Sequence, residues 1–127
     1  MASKQAILRK LNEKLFMSKR SSKLLIQDIL ESGQKILNYT EGISFDEFAS
    51  DSKTIDAVIL NFEIIGEAAN RLSDEFKDEH PNIDWHKIRG FRNRIIHDYF
   101  GIDFNIVWII KETFLPDTLA KIKKIIF

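Results

Sequence analysis

The chain has 127 residues, no cysteine, and 19 basic against 19 acidic side chains. That length builds one domain around a single sizeable core, and the cysteine count excludes disulfides and cysteine-ligated zinc while fitting a reducing cytoplasm. No apolar run is long enough to span a bilayer and no signal-peptide core opens the chain, so the expected location is cytoplasmic, with no membrane partner.

The neutral total hides an uneven spread. Residues 1–23 carry seven basic and one acidic side chain, residues 41–84 three and twelve, and residues 85–127 eight and four. A protein that grips long nucleic acid is usually basic overall. A phosphate site here would instead be local, around Arg89, Arg92 and Arg94.

In chain order, Ile7, Leu8, Leu11, Leu15 and Phe16 recur at helical spacing and predict a basic amphipathic helix over residues 1–17. It belongs to an N-terminal extension, residues 1–20, ahead of a main domain over 21–127, and is expected to pack on its own bundle or on a partner. A second helix, from about Ser22 to Tyr39, puts Leu24, Leu25, Ile29, Ile36 and Leu37 on its apolar side, slightly weakened by Gly33. Thr40 to Ser50 reads as a connector in which Ser44 and Glu47 form a capping box for one short turn.

Asp51 or Ser52 then caps a long helix from about Lys53 to Lys77. It has two apolar arcs, one with Ile55, Val58, Ile59, Phe62, Ile65, Ala69, Leu72 and Phe76, the other with Ala57, Leu60, Ile64 and Ala68. A helix apolar on two sides is central or meets a partner chain as well as its own core. Gly66, Ala68 and Ala69 make the helix thin enough for a close crossing. Glu63 and Glu67 share a polar stripe. No histidine stands at helical spacing from them, so no metal site is expected; one of the two should receive Arg92 or Arg89.

His80-Pro81-Asn82 breaks the chain and Asp84 caps the next helix. Asp103 opens a last helix that runs to about Ile126 with a kink at Pro116. The expected architecture is all-α: an antiparallel four-helix bundle with an extra N-terminal helix.

The stretch Arg89 to Asp103, RGFRNRIIHDYFGID, is the unusual one. Trp85, Ile88, Phe91, Ile95 and Ile96 form an apolar stripe, yet Arg92 and Tyr99 fall in its middle while Asn93 and His97 line its edge. Gly101 is placed to cap the helix C-terminus. A guanidinium within an apolar face needs an acceptor, either a carboxylate or a phosphate. On a straight helix Arg92 and His97 point about 140° apart, so one chain does not easily bring them to one phosphate.

The order Arg92-Asn93, three residues, His97, one residue, Tyr99 resembles the motif of HEPN-domain ribonucleases. IIGEAANRLSDEF at Ile64 to Phe76 and the words from Trp85 onward resemble the HepT-type toxins, over a span from about Lys23 to the C-terminus. The resemblance implies a HEPN bundle, a homodimer whose two motifs face each other across a cleft, and endoribonuclease activity that needs neither metal nor other cofactor. In that chemistry His97 takes the proton of a ribose 2′-hydroxyl and Arg92 binds the scissile phosphate. Asn93, Glu67 and Arg89 are supporting residues. The resemblance further implies the toxin half of a type VII-like pair, with RNA as substrate and a cognate minimal nucleotidyltransferase as antitoxin, which in some systems adds AMP to the motif tyrosine, here Tyr99. Without the resemblance, His97 reads as a helix-end histidine near the dipole and Tyr99 as a core residue. The alternative function is a non-catalytic helical module that binds a nucleotide or a protein partner.

Overall fold

The computed structural model describes residues 3–97 and 101–127, apart from the side chains of 13–21 and 96. Every regular element among the described residues is helical. Helix α1 (Lys4–Tyr39) begins where the Ser3 hydroxyl accepts the Ala6 N–H at 3.1 Å. The two helices predicted for residues 1–17 and 22–39 are therefore one. The intervening serines, lysine and arginine include no proline or glycine, and serine's modest propensity deficit does not stop a helix already propagating.

The short α2 (Phe45–Ala49) forms through the predicted capping box: the Ser44 hydroxyl accepts the Glu47 N–H at 3.2 Å, and Glu47 Oε1 accepts the Ser44 N–H at 3.4 Å. Asp51 caps α3 (Ser52–Arg71), accepting the Thr54 N–H at 3.3 Å. α3 does not reach Lys77. The Ser73 hydroxyl accepts the Phe76 N–H at 3.1 Å and starts a separate α4 (Asp74–Asp78), with Asp74 and Glu75 in its first turn. A serine followed by two acids is an N-terminal signature, masked in the sequence because Phe76 continues the apolar spacing of α3.

Asp84 caps α5 (Trp85–His97) through the Lys87 N–H at 2.9 Å. The predicted C-terminal cap at Gly101 depends on residues 98–100, which lie outside the described residues. Asp103 opens α6 (Phe104–Ile109), accepting the Asn105 N–H at 2.9 Å. The helix continues through a π-helical turn at Ile110–Phe114 into α7 (Leu115–Lys123). Pro116 offers no N–H to the carbonyl one turn back, and the helix widens so that the Leu115 N–H reaches Ile110 O. The proline's disruption thus takes the form of a π turn. Lys111 lies buried in that turn, with Nζ 3.5 Å from the Trp108 ring centroid and 2.8 Å from Glu112 Oε1.

The core runs through α1 (Ile26, Ile29, Ile36), α3 (Val58, Ile59, Phe62, Ile65), α5 (Ile88, Ile95) and the final helix (Val107, Leu115, Leu119, Ile122). α3 packs on α1 and on α5. Its first predicted arc is the buried one. Of the second arc Ala68 is buried, but Leu60 and Ile64 stay 55% and 39% exposed. Leu24 is exposed as well, and Ile26 takes its expected place in the core. No helix among the described residues is long and apolar enough to cross a membrane.

Candidate functional site

The site begins with a missing side chain. A Cβ on Gly66 would collide with Cβ and Cγ of Arg92, so glycine at this point of α3 lets α5 approach until the stem of Arg92 lies on the α3 backbone. From there the guanidinium reaches Glu67: Arg92 Nη2 donates to Oε2 at 2.8 Å. The other carboxylate oxygen, Oε1, accepts from Arg71 Nε at 3.3 Å, one turn further along α3. The acceptor that Arg92 requires is thus Glu67. Arg92 is 23% exposed and Glu67 47%, so the pair is accessible to solvent and to an incoming anion.

The remaining predicted residues are spread out. Asn93 Oδ1 faces Arg92 Nη1 at 3.5 Å, at the limit of a hydrogen bond, and no contact joins it to His97 among the described residues. Arg89 and Arg94 are exposed on α5, and helix geometry turns them about 60° and 160° away from Arg92. Arg89 is therefore a neighbour of Arg92 on the helix surface, whereas Arg94 points to the opposite side within one chain. His97 is exposed in the last turn of α5. Tyr99 lies outside the described residues. No group of three or more potential metal ligands comes together among the described residues.

Beside the Glu67–Arg92 pair, α1 and α3 enclose a groove of about 400 Å³. Leu25, Leu60, Ile64 and Ala68 give it an apolar floor, and Asp28, Glu63 and Glu67 a carboxylate rim, with Arg71 and Arg92 at one end. Arg71 is a residue the sequence reading missed, although its position four after Glu67 is a helical ion-pair spacing. Leu25 and Asp28 carried no such signal, since they join the site through the packing of α1 on α3. Chemically, the site offers a partly buried guanidinium pre-aimed by a carboxylate that an anion can replace, and a separate solvent-facing imidazole.

A family profile described as "Ribonuclease HepT-like" matches residues 29–125. The chain belongs to the HepT-like ribonuclease family. Two Methanocaldococcus jannaschii proteins named "Putative RNase" are similar to it. One is 37% identical over 110 residues, covering 87% of this chain and 91% of the relative. The other is 41% identical over 108 residues, covering 85% and 95%. A "Probable ribonuclease HepT" of Thermococcus cleftensis is 38% identical over 107 residues, covering 84% of this chain and 97% of that protein. No solved structure matches the chain. Gly66, Glu67, Arg92, Asn93 and His97 all lie within the HepT-like segment, whereas residues 4–28 of α1 precede it.

Proposed function

We propose that this HepT-like chain is a metal-independent endoribonuclease, the toxin of a type VII-like pair with a minimal nucleotidyltransferase, acting on RNA in the cytoplasm. Arg92 binds the scissile phosphate and stabilises the charge that builds on its oxygens. His97 removes the proton of the adjacent 2′-hydroxyl. The new 2′-oxygen–phosphorus bond forms as the bond to the 5′-oxygen breaks, the leaving oxygen takes a proton, and the products are a 2′,3′-cyclic phosphate and a 5′-hydroxyl. The nucleophile is already held beside phosphorus, so positioning and charge do most of the work.

The observation that carries this reading is the placement of Arg92, whose guanidinium is fixed at a groove edge by Glu67 at 2.8 Å. Glu67 occupies the place of an anionic oxygen and keeps Arg92 aimed between turnovers, while Arg89 and Asn93 contribute further polar contacts. The angular separation of Arg92 and His97 supports a homodimer in which Arg92 of one copy works near His97 of the other. Tyr99 is the acceptor for AMP from the antitoxin, which adds bulk and negative charge beside the motif.

The test is an oligonucleotide with a single ribose in an otherwise deoxy strand, incubated in EDTA. Cleavage 3′ to that ribose with a cyclic phosphate terminus is expected. Cleavage of the all-deoxy strand, or a requirement for added divalent metal, would overturn the mechanism. Intact-mass analysis after incubation with ATP and the nucleotidyltransferase tests the modification, which should be lost in Tyr99→Phe.

A further inference from the structure

We propose that the N-terminal part of α1 is an arm that docks into the α1–α3 groove of a second copy of this chain. Lys4 to Asn12 contain no buried side chain, and Ile7, Leu8 and Leu11 are 50%, 51% and 52% exposed. These three share one helical face, with Lys4 and Lys10 beside them and no acidic residue among residues 4–12. The groove has the complementary pattern. Exposed Leu60 and Ile64 stand one turn apart on its floor, with Asp28 and Glu63 as rim carboxylates, while Glu67 is already paired with Arg71 and Arg92 at the other end. A stripe of apolar side chains bordered by cations matches a floor of apolar side chains bordered by carboxylates.

The arm cannot reach its own groove. Leu11 and Leu25 lie on one unbroken helix, fourteen residues and so about 21 Å apart. Pairing of arm with arm would bring Lys4 and Lys10 against their own copies. An anionic bilayer would cover the stripe but leave Leu60 and Ile64 in water. Docking into a second copy covers both apolar faces with one contact, and two-fold symmetry makes that contact twice. The inference deepens the homodimer of the proposed function and rests on it, with the arm seated at the Leu60–Ile64 end of a groove whose other end holds Glu67 and Arg92. The cross-link reads the interface alone, so its outcome is separate from that of RNA cleavage.

The absence of cysteine makes the test direct. Leu11→Cys and Ile64→Cys proteins of different tag mass are mixed and mildly oxidised, with Thr113→Cys, exposed in the π turn, replacing Ile64→Cys as the collision control. The expected product is the mixed Leu11–Ile64 disulfide, well above the control. Its yield should fall about fivefold when Lys4→Glu and Lys10→Glu are added, the effect of two exposed ion pairs, and recover with Asp28→Lys and Glu63→Lys in the other copy. A mixed product no stronger than the control would overturn the proposal. So would Leu11–Leu11 linkage as the main product, or sedimentation of the protein with phosphatidylglycerol vesicles through Ile7, Leu8 and Leu11 in place of the cross-link.

Discussion

Gly66 and Arg92 share one contact point: the stem of Arg92 occupies the space that a side chain at position 66 would need. The colliding atoms are Cβ and Cγ, close to the α5 backbone, so they cannot swing aside as a side-chain tip can. Gly66→Ala should push α5 off α3 and carry the guanidinium away from Glu67. Overpacking costs about 1–3 kcal/mol, more than the ~1 kcal/mol that alanine gains over glycine within a helix. Thermal unfolding should show a lower Tm, and RNA cleavage per folded molecule should fall with it. A Tm at or above that of the unaltered protein would contradict the crossing described.

Glu67→Gln keeps an acceptor near Arg92 but removes the charge. Because both groups are partly exposed, the stability cost should be about 1 kcal/mol or less. The loss of kcat/KM should be smaller than in Arg92→Ala, because glutamine can still orient the guanidinium. Arg92→Lys should behave like alanine at a site that needs the planar fork. Steady-state cleavage of one defined RNA by the three variants ranks them, and a Glu67→Gln defect as large as Arg92→Ala would give Glu67 a direct role in the reaction.

Gly33 sits where α7 meets α1. A Cβ there would lie 2.5 and 2.7 Å from the two methyl carbons of buried Leu119. Gly33→Ala should therefore lower stability despite its better helix propensity, and Leu119→Val should recover part of the loss in the double variant. A double-mutant cycle read by denaturant unfolding measures that coupling; strict additivity would show that Leu119 yields without strain.

Asp51 gives the fold an acid-sensitive cap. The Thr54 hydroxyl donates to Oδ2 at 2.7 Å, and this bond, together with the Thr54 N–H, lowers the carboxyl pKa from its ordinary 3.8. A lowered folded-state pKa means that the stabilisation is present above the unfolded value and lost as pH falls through the folded one. Asp51→Asn should remove that contribution, so Tm should depend less on pH below about 4. An unchanged pH profile would exclude Asp51 as a source of acid sensitivity.

What was legible in the sequence was mostly local chemistry. Ser44 with Glu47, Asp51, Asp84 and Asp103 all cap as their side chains predict, because a cap depends on residues two or three apart. Arg92's need for an anionic acceptor was equally readable, with a phosphate, Glu63 and Glu67 as the candidates and Arg89 as the alternative donor to the two carboxylates. Choosing between them was not, since it depends on where α5 crosses α3, and Gly66 sets that point. The same limit explains Leu24, whose apolar character says nothing about the side on which α3 arrives. Ser73 was a local signal overridden by the periodicity of Phe76. Arg92 and His97 were visible as a motif, but helix geometry separates them within one chain.

The central claim is tested most directly with protein of confirmed unmodified mass, incubated with total RNA in EDTA beside Arg92→Ala and His97→Ala. The account predicts cleavage by the unaltered protein with cyclic phosphate ends, and a loss of about 100-fold or more in each variant. Intact RNA with the unaltered protein, or cleavage by His97→Ala at the original rate, would contradict it.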